Sequence, residues 1–366
     1  MAVLSDVNAI LDNRLSLGLI AFTYAGETDT LPDRCPTVRI PAKSGGFGVR
    51  FARGLFRNLP PSAERFYGTE SSQAILEALK KWSPPTVIID DASVAGFIPQ
   101  IRSLLPAAKI ILRSHNVMHD LRTEHLRRTT GPSRLPIAFD RRRYIELERA
   151  AVLNSDRHWA ITPADATRMA ELYGRPGECL SVSVPMERYE QISVDQGRSN
   201  AFSHVGSLDF RRRADLGGFL EKSWPTILKA DSDATLTLAG DLKGDPIPAP
   251  NVTYSGRVDS DAAVYSSARF ALNFQTSPGG VKLKTLTCLA AGRTLLSTSE
   301  GVEGVDVQSG CEFFLLDQFL AKGDLSSILA DAHSTQSVAI AGRQYIQDHH
   351  SRPAVARRLL SLLEKI

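Results

Sequence analysis

The chain has 366 residues, 43% of them hydrophobic and 23% charged, with a net charge of +3. Such a length predicts two domains, since a single core stops growing at roughly 250–300 residues. A surplus of +3 is too weak to argue for nucleic acid, no apolar run reaches the ~20 residues of a membrane span, and four scattered cysteines (Cys35, Cys179, Cys288, Cys311) form neither a disulfide framework nor a zinc pair.

The opening residues, MAVLSDVNAILDN, place acids where a signal peptide needs a basic and then an apolar run, so the chain is expected in the cytoplasm. Residues 15–25 read as a strand, and SGGFG (44–48) as a surface loop after a second strand. A helix is predicted at 71–82, Pro84 and Pro85 punctuate, and TVIIDD (86–91) is a buried strand ending in acids. A helix at 96–106, a strand at 108–116, a helix at 145–156 and a strand at 158–162 follow. Residues 163–174 form a helix with Pro at its start and Gly at its end. A strand at 180–185 closes the first half.

The polar stretch 187–200 is the expected linker. Beyond it come a strand (201–207), a helix (218–230), strands at 234–240 and 251–256, a helix (261–268) and a strand (270–275). Strands alternating with helices predict an α/β fold of two parallel-sheet domains. Two such halves predict a cleft, with ligands beyond the carboxyl ends of the strands. The expected boundaries are 1–190, 200–345 and a terminal segment, 346–366, whose helix (350–366) packs back toward the first domain.

Residues 278–298, PGGVKLKTLTCLAAGRTLLST, carry the strongest local signal. Gly279 and Gly280 allow a tight corner and close backbone approach. Val281, Leu283, Leu286, Leu289 and Ala290 fall near helical spacing, Gly292 sits at a helix stop, and 294–298 reads as a strand. A Gly-Gly loop opening a helix offers N–H groups and a positive dipole end to a phosphate.

In this order the segments resemble the retaining family four of the GT-B glycosyltransferases, over roughly residues 70–366. RSHNV (113–117) is similar to the family's HNVE segment. ELERAAVLNSDRHWAIT (146–162) is similar to its "E…aD.vi.vS" element, and HVGSLDFRRRADLGGFL (204–220) to the opening of its second domain. LTLAGD (236–241), VTYSGRVDS (252–260) and GGVKLKTLTCLAAGRTLLSTSEGVEG (279–304) match its later strands and donor loop. The resemblance implies two Rossmann-like domains facing a cleft. It implies transfer of a sugar from a nucleotide diphosphate sugar to an acceptor hydroxyl, with retention and without a metal or other cofactor. Surface polysaccharide or glycoconjugate assembly is the implied setting, with a sugar, lipid-linked or protein acceptor.

Carried over by position, Gly279, Gly280 and Gly206 bind the donor, assisted by Lys282, Lys284 and a basic residue of the run Arg211–Arg213, taken as Arg211 or Arg212. His115 approaches the donor sugar as the catalytic candidate. Asn116 and Asp91 stand on the acceptor side, with helix capping the competing role for Asp90 and Asp91. The basic residues from Arg127 to Arg143 read as solvated faces, or as a peripheral contact with the inner membrane face.

The chain departs from the family in three places. Thr287 occupies the position of the second Glu of the donor motif, which binds ribose, and a hydroxyl replaces two carboxylate acceptors with one short contact. Met118 stands where HNVE has its Glu. The family's first strand and Gly-Gly loop have no counterpart, so an inner sheet edge is expected to be exposed or covered by a partner chain. These departures motivate the alternative of a degenerate, non-catalytic GT-B subunit acting as partner or regulator. His115 and His119 lack a third ligand, so no metal site is expected. Glu303 reads as a loop anchor, and Trp82, Trp159 and Trp224 as core.

Overall fold

The fold is described from a computed structural model, for residues 7, 10–11, 15–24, 34–194, 200–208, 210–276, 282–321 and 325–366. It divides into two compact units. One comprises Met1–Val182 with Ala356–Ile366, the other Ser183–Val355.

In the first unit, β1 (Leu19–Thr23) and β2 (Thr37–Pro41) pair in parallel with each other. A separate four-stranded parallel sheet has the order β3 (Thr86–Asp90), β4 (Lys109–Ser114), β5 (Arg157–Ala160), β6 (Glu178–Cys179). β4 lies between neighbours, and Ile110, Ile111 and Leu112 have no exposed surface. A strand covered on both faces therefore reads as an unbroken apolar run rather than an alternation. The helix Pro163–Tyr173 shows the expected punctuation. Thr162 accepts from the Asp165 N–H at 2.9 Å, Pro163 opens the helix, and Gly174 closes it at φ 69°. The segment Ala356–Ile366 completes this unit: Arg358 donates to the Cys179 carbonyl (3.1 Å), and Arg157 to that of Lys365 (3.1 Å).

In the second unit six parallel strands run in the order β9 (Val252–Gly256), β8 (Thr235–Ala239), β7 (Ala201–Val205), β10 (Phe270–Asn273), β11 (Thr294–Ser297), β12 (Phe314–Leu315). Counted within the unit this is 3-2-1-4-5-6, the Rossmann order, which reverses between β7 and β10. Phe202 and Phe270 stack across that pair at 4.8 Å. Trp224 is fully buried and donates its indole N–H to the Pro250 carbonyl at 2.8 Å.

Several elements differ from the sequence expectation. The segment 180–185 is not a strand. Past β6 the buried Arg113 guanidinium takes the Leu180 and Ser181 carbonyls (3.5 and 3.4 Å), replacing a ladder, and Val184 makes an isolated bridge with Ser351. The helix expected at 145–156 spans Arg134–Asn154, because Pro136 falls in the first turn, where a missing N–H is harmless. The helix expected at 218–230 is two, Phe210–Lys222 and Trp224–Ala230, with Pro225 restarting the second. Trp159 and Trp224 lie in the core, whereas Trp82 is only half-buried. Helices at Met118–Arg128 and Ala332–His349 had no expectation.

Candidate active site

The reversal between β7 and β10 is where an open parallel sheet offers its ligand crevice. His204 spans it. Its Nδ1 donates to the Leu272 carbonyl at 2.8 Å, and its ring stacks on Phe274 at 4.3 Å. Nε2 is then the accepting nitrogen, and Lys284 donates to it from Nζ at 3.1 Å. Burial first, and the Lys284 charge second, push the His204 pKa well below its ordinary value. The imidazole is neutral and holds the lysine.

Gly206, at the end of β7, gives Lys284 its room. Its φ is +149°, and a Cβ there would lie 2.1 Å from Lys284 Cε. Arg212 donates to the Ser207 carbonyl at 3.5 Å, one residue from Gly206. The helix Leu283–Ala290 begins at Lys282, whose side chain makes no cap hydrogen bond, and a helix start presents N–H groups and a positive dipole end. Asn273, buried at the end of β10, pins this turn by donating to Thr285 Oγ1 (3.0 Å) and the Gly301 carbonyl (2.9 Å). Lys282 is buried with its Nζ 3.9 Å from Glu303. Thr287 lies one turn along, its Oγ1 donating to the Lys284 carbonyl (3.1 Å) and 3.1 Å from the Tyr265 hydroxyl. Gly279, Gly280 and the Arg211 side chain lie outside the described residues.

In the first unit, the carboxyl ends of β3 and β4 bring Asp90 and His115 together. His115 Nε2 donates to Asp90 Oδ1 at 2.8 Å, and the buried Arg113 reaches the same oxygen at 3.5 Å. Burial works against both charges, but the mutual hydrogen bond and Arg113 outweigh it at Asp90, whose pKa is lowered. At His115 burial lowers, and the Asp90 bond more than restores, so its pKa is raised. Asn116 follows, half-buried. Asp91 caps the next turn, accepting from the Ser93 N–H at 2.7 Å, with backbone φ of +105°.

Two features here escaped the sequence reading. Glu148, with no exposed surface, accepts from the Met118 and His119 N–H groups (2.7 and 2.9 Å) and so caps the helix Met118–Arg128 from thirty residues away. A cavity of about 450 Å³ is lined by Tyr67, Gly68, Thr69, Gly96, Gln100 and Arg57, among others. His204 and Asn273 were also missed; the histidine two residues before Gly206, inside a buried strand, was the available signal.

No protein-family profile matches the chain, and no curated protein matches it. Solved structures do. HepE of Anabaena, in complex with UDP and glucose, superposes with a TM-score of 0.63 at 12% identity, over 99% of this chain and 95% of HepE. A glycosyltransferase from Rickettsia africae gives 0.63 at 9% identity, over 96% and 98%. TarM gives 0.60 at 12% identity, over 80% of this chain but only 58% of TarM. At such identities the likeness shows the fold: mixed α/β with two Rossmann-like parallel-sheet domains, as in GT-B glycosyltransferases.

Proposed function

We propose that the chain is a glycosyltransferase that moves a sugar from a nucleoside diphosphate sugar to an acceptor hydroxyl with retention, without a metal ion, in polysaccharide or glycoconjugate assembly. One observation carries the reading. At the strand-order reversal, Lys284 rests on a neutral His204 over Gly206, beside a helix start. This is an electropositive seat for a leaving diphosphate. That HepE holds UDP on the same fold supports it.

In the reaction the anomeric C–O bond to the β-phosphate breaks, and its electron pair leaves on the diphosphate. The acceptor oxygen bonds to the same face of the anomeric carbon, and its proton passes to the departing phosphate. Lys284 and the helix N–H groups stabilise the charge that develops, a contribution of about 3–4 kcal/mol for one well-placed donor. His115, held by Asp90, contacts the donor sugar. Asn116, Asp91 and the cavity beside Arg57 serve the acceptor.

Thr287 favours a second reading, a non-catalytic subunit, since it spends its hydroxyl on Lys284 and Tyr265 where the family resemblance expects a ribose-binding Glu. Calorimetric titration with UDP, GDP and their sugars, in EDTA, separates the two. Micromolar binding lost in Lys284→Met supports the transferase; no binding to any nucleotide overturns it.

A further inference from the structure

The helix Phe47–Arg57 carries more apolar surface than it buries. In FGVRFARGLFR, Phe51 and Gly54 face inward: Phe51 meets the Phe139 ring edge-on at 5.2 Å, and a Cβ on Gly54 would stand 2.8 Å from the Leu59 carbonyl. Val49, Ala52, Leu55 and Phe56 form a second stripe at intervals of three or four residues, and it points to solvent. Val49 is 48%, Leu55 55% and Phe56 91% exposed. Leu135, one turn before Phe139 on the neighbouring helix Arg134–Asn154, is 79% exposed. A surface helix ordinarily turns polar residues outward. Here the polar residues are confined to a flank, Arg50, Arg53 and Arg57. The last two pair with Glu64, a carboxylate with no exposed surface, at 3.9 and 3.2 Å.

Charge gathers on this helix and on the helices it meets through Phe139. The helix Met118–Arg128 is tied to Arg134–Asn154 by Arg141 to Thr123 (2.9 Å) and Arg134 to the Leu126 carbonyl (3.0 Å). Residues 43–57 and 118–146 together hold eleven Lys or Arg against four Asp or Glu, a surplus of +7 in a chain whose total is +3. The rest of the chain is therefore net acidic, and the cations are gathered on the same segments that carry the exposed Val49, Leu55, Phe56 and Leu135. Among the described residues no helix is long and apolar enough to cross a membrane.

We propose that this face docks on an anionic lipid surface, with Phe56, Leu55 and Val49 entering the headgroup boundary and the arginines meeting lipid phosphates. An apolar stripe flanked by long cations is the geometry of a helix lying in the interface plane. The inference stands apart from sugar transfer, because lipid binding is read with no nucleotide present.

The test is co-sedimentation of the full chain with phosphatidylcholine vesicles, with or without about 30% phosphatidylglycerol. The wild type is expected to sediment with the anionic vesicles alone, and to be released by about 0.5 M salt as screening shortens the reach of charge. The double variant Leu55→Ser/Phe56→Ser loses roughly tenfold or more of its partitioning, with an unchanged melting temperature because both side chains are exposed. Phe56→Trp retains binding, and its emission shifts to the blue on anionic vesicles. Equal binding by the double variant, or no binding to anionic vesicles, overturns the proposal. So does lipid-free self-association abolished by the same variant, which would make a second copy the occupant.

Discussion

Two histidines at the carboxyl ends of parallel strands have opposite fates. His115 leans on a carboxylate and is drawn toward the imidazolium. His204 carries a lysine and is held neutral. Burial pushes both in the same direction, so the difference comes from the sign of the hydrogen-bonded partner, Asp90 for one ring and Lys284 for the other. One unit offers a ring anchored by an acid; the other offers an ammonium anchored by a ring. On the transferase reading, the first suits a sugar hydroxyl and the second a diphosphate.

The largest effect is expected from breaking the second pair. Lys284→Met should weaken UDP binding by roughly 10²-fold, read by calorimetry. The His204 pKa should rise yet stay below its ordinary value, since burial, its main cause, remains. Asp90→Asn should lower turnover by about 10²-fold and drop the His115 pKa below 6.5, because burial, the largest cause, and Arg113 then outweigh the smaller pull of Asp91. NMR titration of the ring protons decides this, and a His115 that still titrates above 6.5 breaks the contrast.

A smaller effect comes from Gly206→Ala. The methyl meets Lys284 at a positive φ, so urea unfolding should show a loss of about 1–3 kcal/mol. Smallest is the pH dependence, where the two histidines oppose each other. The raised pKa of His115 adds stability that is present below pH 6.5 and lost as pH climbs through its folded value. The lowered pKa of His204 makes the unfolded chain the better proton binder, so its stability falls as pH drops below about 6.5, by up to ~1.4 kcal/mol per pH unit. His158, lowered to about 4 by burial, acts in the same sense within the first unit. His204→Gln should therefore shrink the loss between pH 7.5 and 5.5 by about 1 kcal/mol, measured by denaturant unfolding at both.

Local chemistry was legible wherever neighbours in sequence are neighbours in space. KIILRS announced a central strand by its unbroken apolar run, TVIID a strand beside it, and Thr162, Pro163 and Gly174 bracketed a helix. Gly292, at φ 63°, follows the end of the helix Leu283–Ala290 as its position suggested. Illegible were contacts that join distant residues. Lys284 finds His204 eighty positions away, Glu148 caps a helix begun thirty residues earlier, and Arg113 captures carbonyls sixty-seven residues on. No periodicity encodes such pairings. The outward apolar stripe of Phe47–Arg57 was hidden for another reason: sequence patterning shows that a helix has faces, but not which face the body of the protein leaves uncovered.

The discontinuity of the first unit has a consequence for synthesis. That unit is completed by the helical segment Ala356–Ile366, through Arg358 on Cys179 and Lys365 beside Arg157 and Glu178. That segment leaves the ribosome only after all of residues 183–355. At about 5–20 residues per second the wait is roughly 9–35 s. The unit begun first is thus closed last, and during the interval its strands are complete but lack the contacts of that helical segment, while the uninterrupted second unit can already fold.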